Sequence, residues 1–294
     1  MFHGSIVALI TPFKDGQVDE ESLRNLVDFQ IAGGTDGIVP CGTTGESATL
    51  SHEEHCRVIE IVIDQVKGRV PVIAGAGSNS TAETVFLAQH AKKSGADAVL
   101  LITPYYNKPT QNGLYNHFKY VSENVDIPQI LYNVPSRTGV NMLPETVVGL
   151  SKLKNIIGIK EASGNVDQAS AIIKDTHKDF ILLSGEDSLT FPLMAIGAKG
   201  VISVVTNIVP DLMSSLCNKC LNGDYDGARE LHYKLFDIFK TVFLETNPIP
   251  VKKAMYMMGL ACDEIRMPLI PMSESNGAKL KAVINALGVK TING

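Results

Sequence analysis

Eight short apolar runs recur along the first two thirds of the chain, and they constrain the fold more than any other feature. Each run is rich in Val, Ile or Leu and lacks a strict alternation of apolar and polar residues. Strands of a parallel sheet show this pattern because helices cover both of its faces. We therefore predict eight buried parallel strands, at 5–11, 37–42, 70–75, 98–104, 128–135, 156–161, 180–185 and 200–206.

Helix start and stop signals separate these runs. The segments that begin at Ser51 and Ser80 match the capping-box pattern, and Gly68 and Gly95 mark the expected ends of the two helices. Eight strand–helix units in about 220 residues match the size of a (β/α)8, or TIM, barrel. A doubly wound α/β sheet would usually carry a glycine-rich phosphate turn after its first strand, whereas this chain reads TPF there. We therefore predict the barrel.

The pattern changes near residue 225, after which only helical segments follow. They span 225–245, a segment that opens near Pro250, and 275–287, and no change of composition marks a linker. We predict a catalytic barrel at 1–224 and an appended α-helical domain at 225–294.

Charge and composition narrow the choice of partner. The formal net charge is -5 and no basic stripe occurs, which argues against nucleic acid and against an anionic membrane surface. No apolar run approaches the roughly 18 residues needed to span a bilayer, and the N-terminus does not resemble a signal peptide. Five cysteines are an odd number in a long chain, so we expect reduced thiols. Together, the charge and the absence of these segments lead us to expect a cytoplasmic protein that acts on a small molecule.

Lys160 is the unusual residue of the sixth run, IIGIKE. Side chains alternate along a strand, so Ile156, Gly158 and Lys160 should share one face while Ile157, Ile159 and Glu161 share the other. Bulky residues are needed on the face that packs against helices, which predicts that Lys160 points into the barrel.

A lysine inside a barrel has two interpretations. Lowering its pKa by about three units corresponds to roughly 4 kcal/mol against the charged form, which a fold rarely keeps for packing alone. The functional interpretation is a nucleophilic amine that forms a Schiff base with a ketone or aldehyde. The other is a strand-end lysine that is solvated or paired with a distant carboxylate. The neighbouring strand ends must decide between them.

Those strand ends carry hydroxyl groups and one guanidinium, and reactive groups in such barrels lie at the carboxyl ends of strands. Thr43 and Thr44 lie in a glycine-flanked turn whose N–H and O–H donors suit a carboxylate. Tyr106 and Tyr132 are candidates for proton transfer. Arg137 lies on a loop suited to bidentate carboxylate binding. Each of these residues also has a purely structural interpretation. The threonines can simply form a tight turn, the tyrosines can belong to the core or its rim, and Arg137 can be a surface arginine.

Metal sites find little support in the sequence. The seven histidines are scattered, and no strand end combines His, Asp and Glu. Cys217 and Cys220 form a lone CxxC within a helical pattern, which is more often incidental than redox-active or zinc-binding. We expect no metal ion.

Four motifs, taken in order, resemble the dihydrodipicolinate synthase family of pyruvate-dependent aldolases and lyases. They are GTTGESATL from Gly42, TPYYNKP from Thr103, ILYNVPSRTG from Ile130 and IIGIKEASG from Ile156, and the likeness extends from Gly4 to at least Lys252. The resemblance implies that Lys160 forms an imine with pyruvate, with no other cofactor. The enamine then attacks L-aspartate 4-semialdehyde, and cyclisation releases the lysine, in the diaminopimelate route to lysine.

The resemblance also assigns roles by position. It implies that Tyr132, Thr43 and Tyr106 relay protons, with Tyr106 contributed by a neighbouring subunit of a homotetramer built as a dimer of dimers. It implies substrate binding by Thr44, Arg137, Gly185 and Ile202. Lysine-sensitive family members bind L-lysine as an inhibitor at positions that match Ser47, Ala48, Leu50, His52, His55, Asn79, Glu83 and Tyr105.

Two alternatives stay open at this point. N-acetylneuraminate lyase and keto-deoxy-sugar-acid aldolases share the lysine, the tyrosine and the GxxGE turn, but they generally lack an arginine in the loop that holds Arg137. A non-catalytic ligand-binding relative would be expected to lose Lys160 or the hydroxyl groups, and all of them are present here.

Overall fold

A closed barrel of eight parallel strands forms the centre of the computed structural model, which describes residues 2–292. The eight strands pair into one sheet, and a parallel bridge between Ile38 and Val72 joins its two ends. The prediction of a TIM barrel is confirmed. The barrel strands are β1 (Gly4–Ala8), β4 (Gly37–Val39), β5 (Ile73–Gly75), β6 (Ala98–Ile102), β7 (Gln129–Asn133), β8 (Ile156–Glu161), β9 (Ile181–Ser184) and β10 (Gly200–Ser203); a short hairpin, β2 (Phe13–Lys14) with β3 (Gln17–Val18), follows β1. The hydrogen-bonded order in the barrel is β4-β1-β10-β9-β8-β7-β6-β5.

Helices connect the strands and continue beyond the last one. The connecting helices are α1 (Glu20–Ala32), α2 (His52–Val66), α3 (Thr81–Ser94), α4 (Gln111–Asn124), α5 (Pro135–Thr138), α6 (Pro144–Leu150), α7 (Val166–Asp175), α8 (Thr190–Ala195) and α9 (Pro210–Leu221), and the C-terminal helices are α10 (Tyr225–Thr241), α11 (Ile249–Met257) and α12 (Glu274–Ala286). None of the helices within residues 2–292 is long and apolar enough to cross a membrane.

The predicted caps form, with one informative difference. Ser51 and Glu54 make the complete reciprocal capping box of α2. Ser80 caps α3 by accepting from the Glu83 N–H, but the Glu83 carboxylate bonds His52 and the Ser78 hydroxyl instead of returning to the cap. The Glu83 carboxylate therefore links α3 to α2 through His52.

Two separate apolar cores support the barrel. An inner core fills the barrel axis with residues that include Ile6, Ile130, Tyr132 and Ile202, while a larger outer core lies between the strands and the helices. The strands are thus buried on both faces, which explains why their sequences lack alternation.

In strand β8, the observed alternation of side chains differs in part from the predicted one. Lys160 faces the inner core as expected, and Ile159 faces the helices. Ile156 and Ile157, however, take the faces opposite to those predicted: Ile156 packs in the outer core and Ile157 against the inner one. The pairing of β8 with β7 slips between these residues, because Gln129 pairs with Ile156 while Ile130 pairs with Gly158. One extra residue in a strand reverses the faces on one side of the irregularity.

The C-terminal helices pack directly on the barrel shell. Helix α10 lies against α8 and α9, and α12 packs on both α10 and α11. Because the outer core continues through Leu235 and Phe239 of α10 and Leu280 of α12, no gap separates this region from the barrel. The domain boundary at residues 224 and 225 stays a prediction.

Candidate active site

Lys160 lies inside the barrel, almost out of contact with solvent. Its side chain is 6% exposed, and its Nζ lies 4.3 Å from the centre of the Tyr132 ring. Burial lowers the pKa of Lys160 to about 8, and the nearby Arg137 guanidinium acts in the same direction, while Asp187 and Glu186 oppose the shift. At pH 7 roughly one lysine in ten is then a neutral amine, against about one in three thousand for an ordinary lysine. The site therefore contains an available nucleophile.

The Tyr132 ring lies beside this amine, and its hydroxyl forms a side-chain hydrogen bond with Thr43. Burial raises the pKa of Tyr132 to about 12, although Arg137 and a hydrogen bond with Thr43 lower it. Tyr132 therefore stays a protonated phenol at neutral pH. Such a group is suited to donating and returning a proton, together with a hydroxyl partner, rather than to acting as a free base.

Thr44 and Arg137 are brought together through Asn247, which precedes α11. The Asn247 amide Nδ2 donates to the Thr44 hydroxyl oxygen at 3.0 Å, and its main-chain carbonyl accepts from Arg137 Nη2 at 3.1 Å. Thr44 is 3% exposed, whereas Arg137 is exposed at the mouth of the site. Both candidate carboxylate-binding residues thus share one partner from the C-terminal region.

Gly185 and Ile202 lie at the ends of β9 and β10. A Cβ atom on Gly185 would come within 2.5 Å of Ala162 Cβ and 3.1 Å of Lys160 Cε, so a side chain here would collide with Ala162 and crowd the lysine. Ile202 is 1% exposed and belongs to the inner core. Glycine at position 185 therefore avoids a clash with Ala162 and leaves space at the end of the lysine side chain.

A cavity of about 440 Å³ opens beside part of this group and extends to the second predicted group, whereas Lys160, Thr44, Gly185 and Ile202 are not among its lining residues. Thr43, Tyr132, Arg137 and Asn247 line one part of it. The other part is lined by seven of the eight residues matched to the lysine-binding positions: Ser47, Ala48, Leu50, His52, His55, Glu83 and Tyr105. The eighth, Asn79, is absent from the lining, and its carbonyl accepts from the Asn107 side chain at 2.9 Å.

His52 and His55 occupy contrasting environments in that second part. The exposed His52 Nε2 lies 2.5 Å from Glu83 Oε1, and this carboxylate raises the pKa of His52. His55 is buried and pairs with the Gly75 carbonyl at 2.7 Å, and burial lowers its pKa. Of these two histidines, His52 is therefore the one that is paired with a carboxylate at the cavity.

Tyr106 does not reach Lys160 within this chain. Its side chain is 89% exposed, and its backbone has a positive φ of 71°, which is unusual for a tyrosine. The side chain is thus presented outward on the loop after β6.

Comparison with known proteins identifies the family of this chain. The model of the dihydrodipicolinate synthetase family matches residues 1–287. The chain belongs to this family. It is similar to the 4-hydroxy-tetrahydrodipicolinate synthases of Pelobacter propionicus, 57% identical over 98% of this chain and 100% of that protein, and of Geotalea daltonii, 59% identical over 97% and 98%.

Solved structures of the family show the same fold throughout. The enzyme from Aquifex aeolicus superposes with a TM-score of 0.98 at 52% identity, covering 99% of this chain and all of that one. The enzyme from Acinetobacter baumannii was solved with pyruvate (TM-score 0.97, 46% identity, 98% and 100% covered), and the one from Cyanidioschyzon merolae with lysine bound (0.96, 38%, 98% and 99%). The chain is therefore a synthase of the dihydrodipicolinate family, an enzyme of the lyase type.

An acidic pair of this family member escaped the sequence analysis. Asp187 is 2% exposed and accepts hydrogen bonds from Ser203 Oγ at 2.5 Å and from the N–H groups of Val204 and Val205. Burial raises the pKa values of both Asp187 and Glu186, and both carboxyls interact with Lys160. Their position directly after β9 was the available signal, because it obeys the same strand-end rule as the other candidates.

The GTTGE turn of the family holds a second missed feature, a buried ion pair. The N–H groups of Gly45 and Glu46 close the turn by bonding the carbonyls of Gly42 and Thr43, and the proposed use of the Thr43 and Thr44 donors for a carboxylate stays a prediction. The Glu46 side chain instead points away and meets Lys252 of α11 at 2.5 Å, with both side chains 2% exposed. This pair ties the turn that holds Thr43 and Thr44 to the C-terminal helices.

Among residues 2–292, no cluster of three or more His, Cys, Asp or Glu side chains could hold a metal ion.

Proposed function

We propose that this chain catalyses the condensation of pyruvate with L-aspartate 4-semialdehyde, the reaction of the 4-hydroxy-tetrahydrodipicolinate synthases that it resembles. The observation that carries the proposal is the position of Lys160, buried beside Tyr132 with its pKa lowered to about 8. This chemistry belongs to the diaminopimelate route of lysine biosynthesis.

The first half of the reaction makes a nucleophile from pyruvate. The neutral Nζ of Lys160 attacks the keto carbon of pyruvate, and the carbinolamine loses its hydroxyl as water to leave an imine. We assign the proton for this departure to the Tyr132 hydroxyl, which Thr43 orients. The Thr44 hydroxyl binds the pyruvate carboxylate. Loss of a methyl proton from the imine then gives the enamine.

The second half joins the two substrates and releases the enzyme. The enamine carbon attacks the aldehyde carbon, and a proton moves to the new alkoxide. The amino group of the semialdehyde then attacks the imine carbon and displaces Lys160, which closes the ring. We assign binding of the semialdehyde carboxylate to Arg137 at the mouth of the cavity, with the main-chain carbonyls of Gly185 and Ile202 near the bound substrate.

A second subunit is part of the proposal. We propose a homotetramer in which Tyr106 of one chain completes the Tyr132–Thr43 pair of another; its 89% exposure in a single chain supports this assignment. A cytoplasmic location and the absence of any cofactor other than the covalent imine remain proposals as well.

We propose L-lysine as an inhibitor that binds the second part of the cavity. His52 and Glu83 offer paired charges there, and Tyr105, Leu50 and His55 line the walls. Initial rates with and without saturating L-lysine test this point, and an unchanged rate would contradict it.

Reductive trapping tests the catalytic proposal. The protein is incubated with pyruvate and borohydride, and the modified peptide is mapped by mass spectrometry. We expect the adduct on Lys160; its absence would refute an aldolase mechanism and favour a ligand-binding protein. Turnover with aspartate semialdehyde but not with N-acetylmannosamine then separates the proposed reaction from that of a sugar-acid lyase.

A further inference from the structure

Asn247 carries a buried hydrogen-bond acceptor that has no partner. The residue is 5% exposed, lines the cavity beside Arg137, and has an Oδ1 atom without any hydrogen bond in the structure. Buried acceptors in proteins nearly always find a partner, because leaving one unpaired is unfavourable. Asn247 lines the cavity, and no protein donor reaches its Oδ1, so a substrate bound there is the remaining source of a donor.

The other half of the same amide is already used. Nδ2 donates to the Thr44 hydroxyl oxygen at 3.0 Å. A hydroxyl that accepts at its oxygen still has its own hydrogen to donate. The Asn247 amide thus orients Thr44 as a donor, which is the role that binding a pyruvate carboxylate requires.

The position of Oδ1 indicates the chemical class of the missing donor. Arg137 donates to the main-chain carbonyl of Asn247, so its guanidinium lies next to the residue that carries the free acceptor. A guanidinium beside an acceptor complements an α-amino acid, whose carboxylate and ammonium groups are separated by one carbon. The semialdehyde substrate has this pair of groups.

We propose that Asn247 determines specificity for an α-amino aldehyde: its Oδ1 accepts a hydrogen bond from the substrate ammonium while its Nδ2 holds Thr44 in the pyruvate-binding orientation. This inference rests on the proposed condensation. It assigns to the C-terminal region a side chain that touches substrate, in addition to the structural contacts already described.

The test compares two acceptors that differ only in the amino group. Aspartate semialdehyde and succinic semialdehyde are each supplied with pyruvate, and pyruvate consumption is measured, since both acceptors consume it whether or not the adduct cyclises. For Asn247→Ala we expect kcat/KM with aspartate semialdehyde to fall roughly ten- to a hundredfold, as for loss of a hydrogen bond to a charged group. With succinic semialdehyde we expect a change of less than about threefold on the same argument.

The isosteric variant Asn247→Asp separates the two halves of the amide. A carboxylate still accepts from the ammonium, so the preference for aspartate semialdehyde should persist. It cannot donate to Thr44, however, and would draw the Thr44 hydrogen toward itself, so the KM for pyruvate should rise about tenfold. This variant keeps the shape of the side chain and provides the measurement if Asn247→Ala does not fold.

Asn276→Ala is the matched control, because this asparagine of α12 contacts Glu245 at 2.9 Å, away from the cavity. We expect it to leave both acceptors unaffected. An equal loss with both acceptors in Asn247→Ala would show a purely structural role, and an unchanged pyruvate KM in Asn247→Asp would show the opposite amide orientation; either result overturns the proposal. Borohydride trapping with pyruvate alone should succeed in every variant, and its failure in the unmodified protein would instead refute the proposed function.

Discussion

The Nζ of Lys160 lies 4.3 Å from the centre of the Tyr132 ring, on neighbouring strands that pair these two residues directly. The pairing places the nucleophile and the proton donor on one face by backbone register alone. Small changes at either residue should therefore alter the chemistry without altering the barrel.

The reactivity of Lys160 should follow its pKa. Because only the neutral amine attacks a ketone, the rate of imine formation should rise with pH and reach its half-maximum near the lowered pKa of about 8. Single-turnover trapping of pyruvate across pH 6 to 10 measures this. Lys160→Ala should lose the adduct, whereas Lys154→Ala, on the exposed surface, should behave like the unmodified protein. A midpoint near 10.5 would contradict the assignment.

Removing either hydroxyl of the Tyr132–Thr43 pair should slow catalysis. We expect Tyr132→Phe and Thr43→Val each to lower kcat by about a hundredfold or more, since a positioned proton donor contributes on this order. The two groups act through one hydrogen bond, so the double variant should be little worse than the more damaging single one. Steady-state kinetics, with circular dichroism to verify folding, measures the coupling; strict additivity would argue that the residues act independently.

The charge of Arg137 should act on Lys160 at a distance. Its guanidinium lowers the pKa of Lys160 because two nearby cations repel each other. Arg137→Ala should therefore move the midpoint of the trapping profile to higher pH. Arg137→Lys retains the charge and should leave the midpoint in place, while it loses the bidentate geometry and raises the KM of the semialdehyde. An identical midpoint in all three proteins would contradict this coupling.

The buried Glu46–Lys252 pair should be sensitive to the loss of one partner. Lys252→Met leaves the Glu46 carboxylate buried and unpaired, and we expect the free energy of unfolding to fall by about 3–5 kcal/mol. Denaturant unfolding measures this. Adding Glu46→Gln should recover part of the loss. The partly exposed pair of Lys253 with Asp263 gives the comparison, since Lys253→Met should cost less than about 1 kcal/mol.

His117 should make stability depend on mildly acidic pH. Burial lowers its pKa to about 4 from 6.5, so the unfolded chain binds a proton more readily than the folded one between these values. The contribution of neutral His117 to the free energy of unfolding is fully present above pH 6.5. It is lost progressively as the pH falls toward 4, by about 3 kcal/mol in total. Thermal unfolding of His117→Gln should show a shallower decline over this window, whereas the exposed His177→Gln should follow the unmodified protein.

Strand-end reasoning found the catalytic candidates because a parallel barrel collects the carboxyl ends of all its strands at one rim. Lys160 and Tyr132 occupy the inner face as that reasoning required, and the exposed Arg137, predicted on a loop, lies on the short helix α5 that follows β7. Alternation failed only at Ile156 and Ile157, where the register of β8 slips. A bulge depends on how two strands pair, and the sequence of one strand does not contain that information.

The sequence by itself determined the alternating elements, the closed barrel and the rim that bears the reactive side chains, since local periodicity and capping act over a few residues. The tertiary structure alone decided the joint role of residues far apart in the chain. Asn247 meets Thr44 across 203 positions, and Lys252 meets Glu46 across 206. Such contacts arise only when the C-terminal helices pack on the barrel, because burial and charge pairing depend on distance in space rather than along the chain.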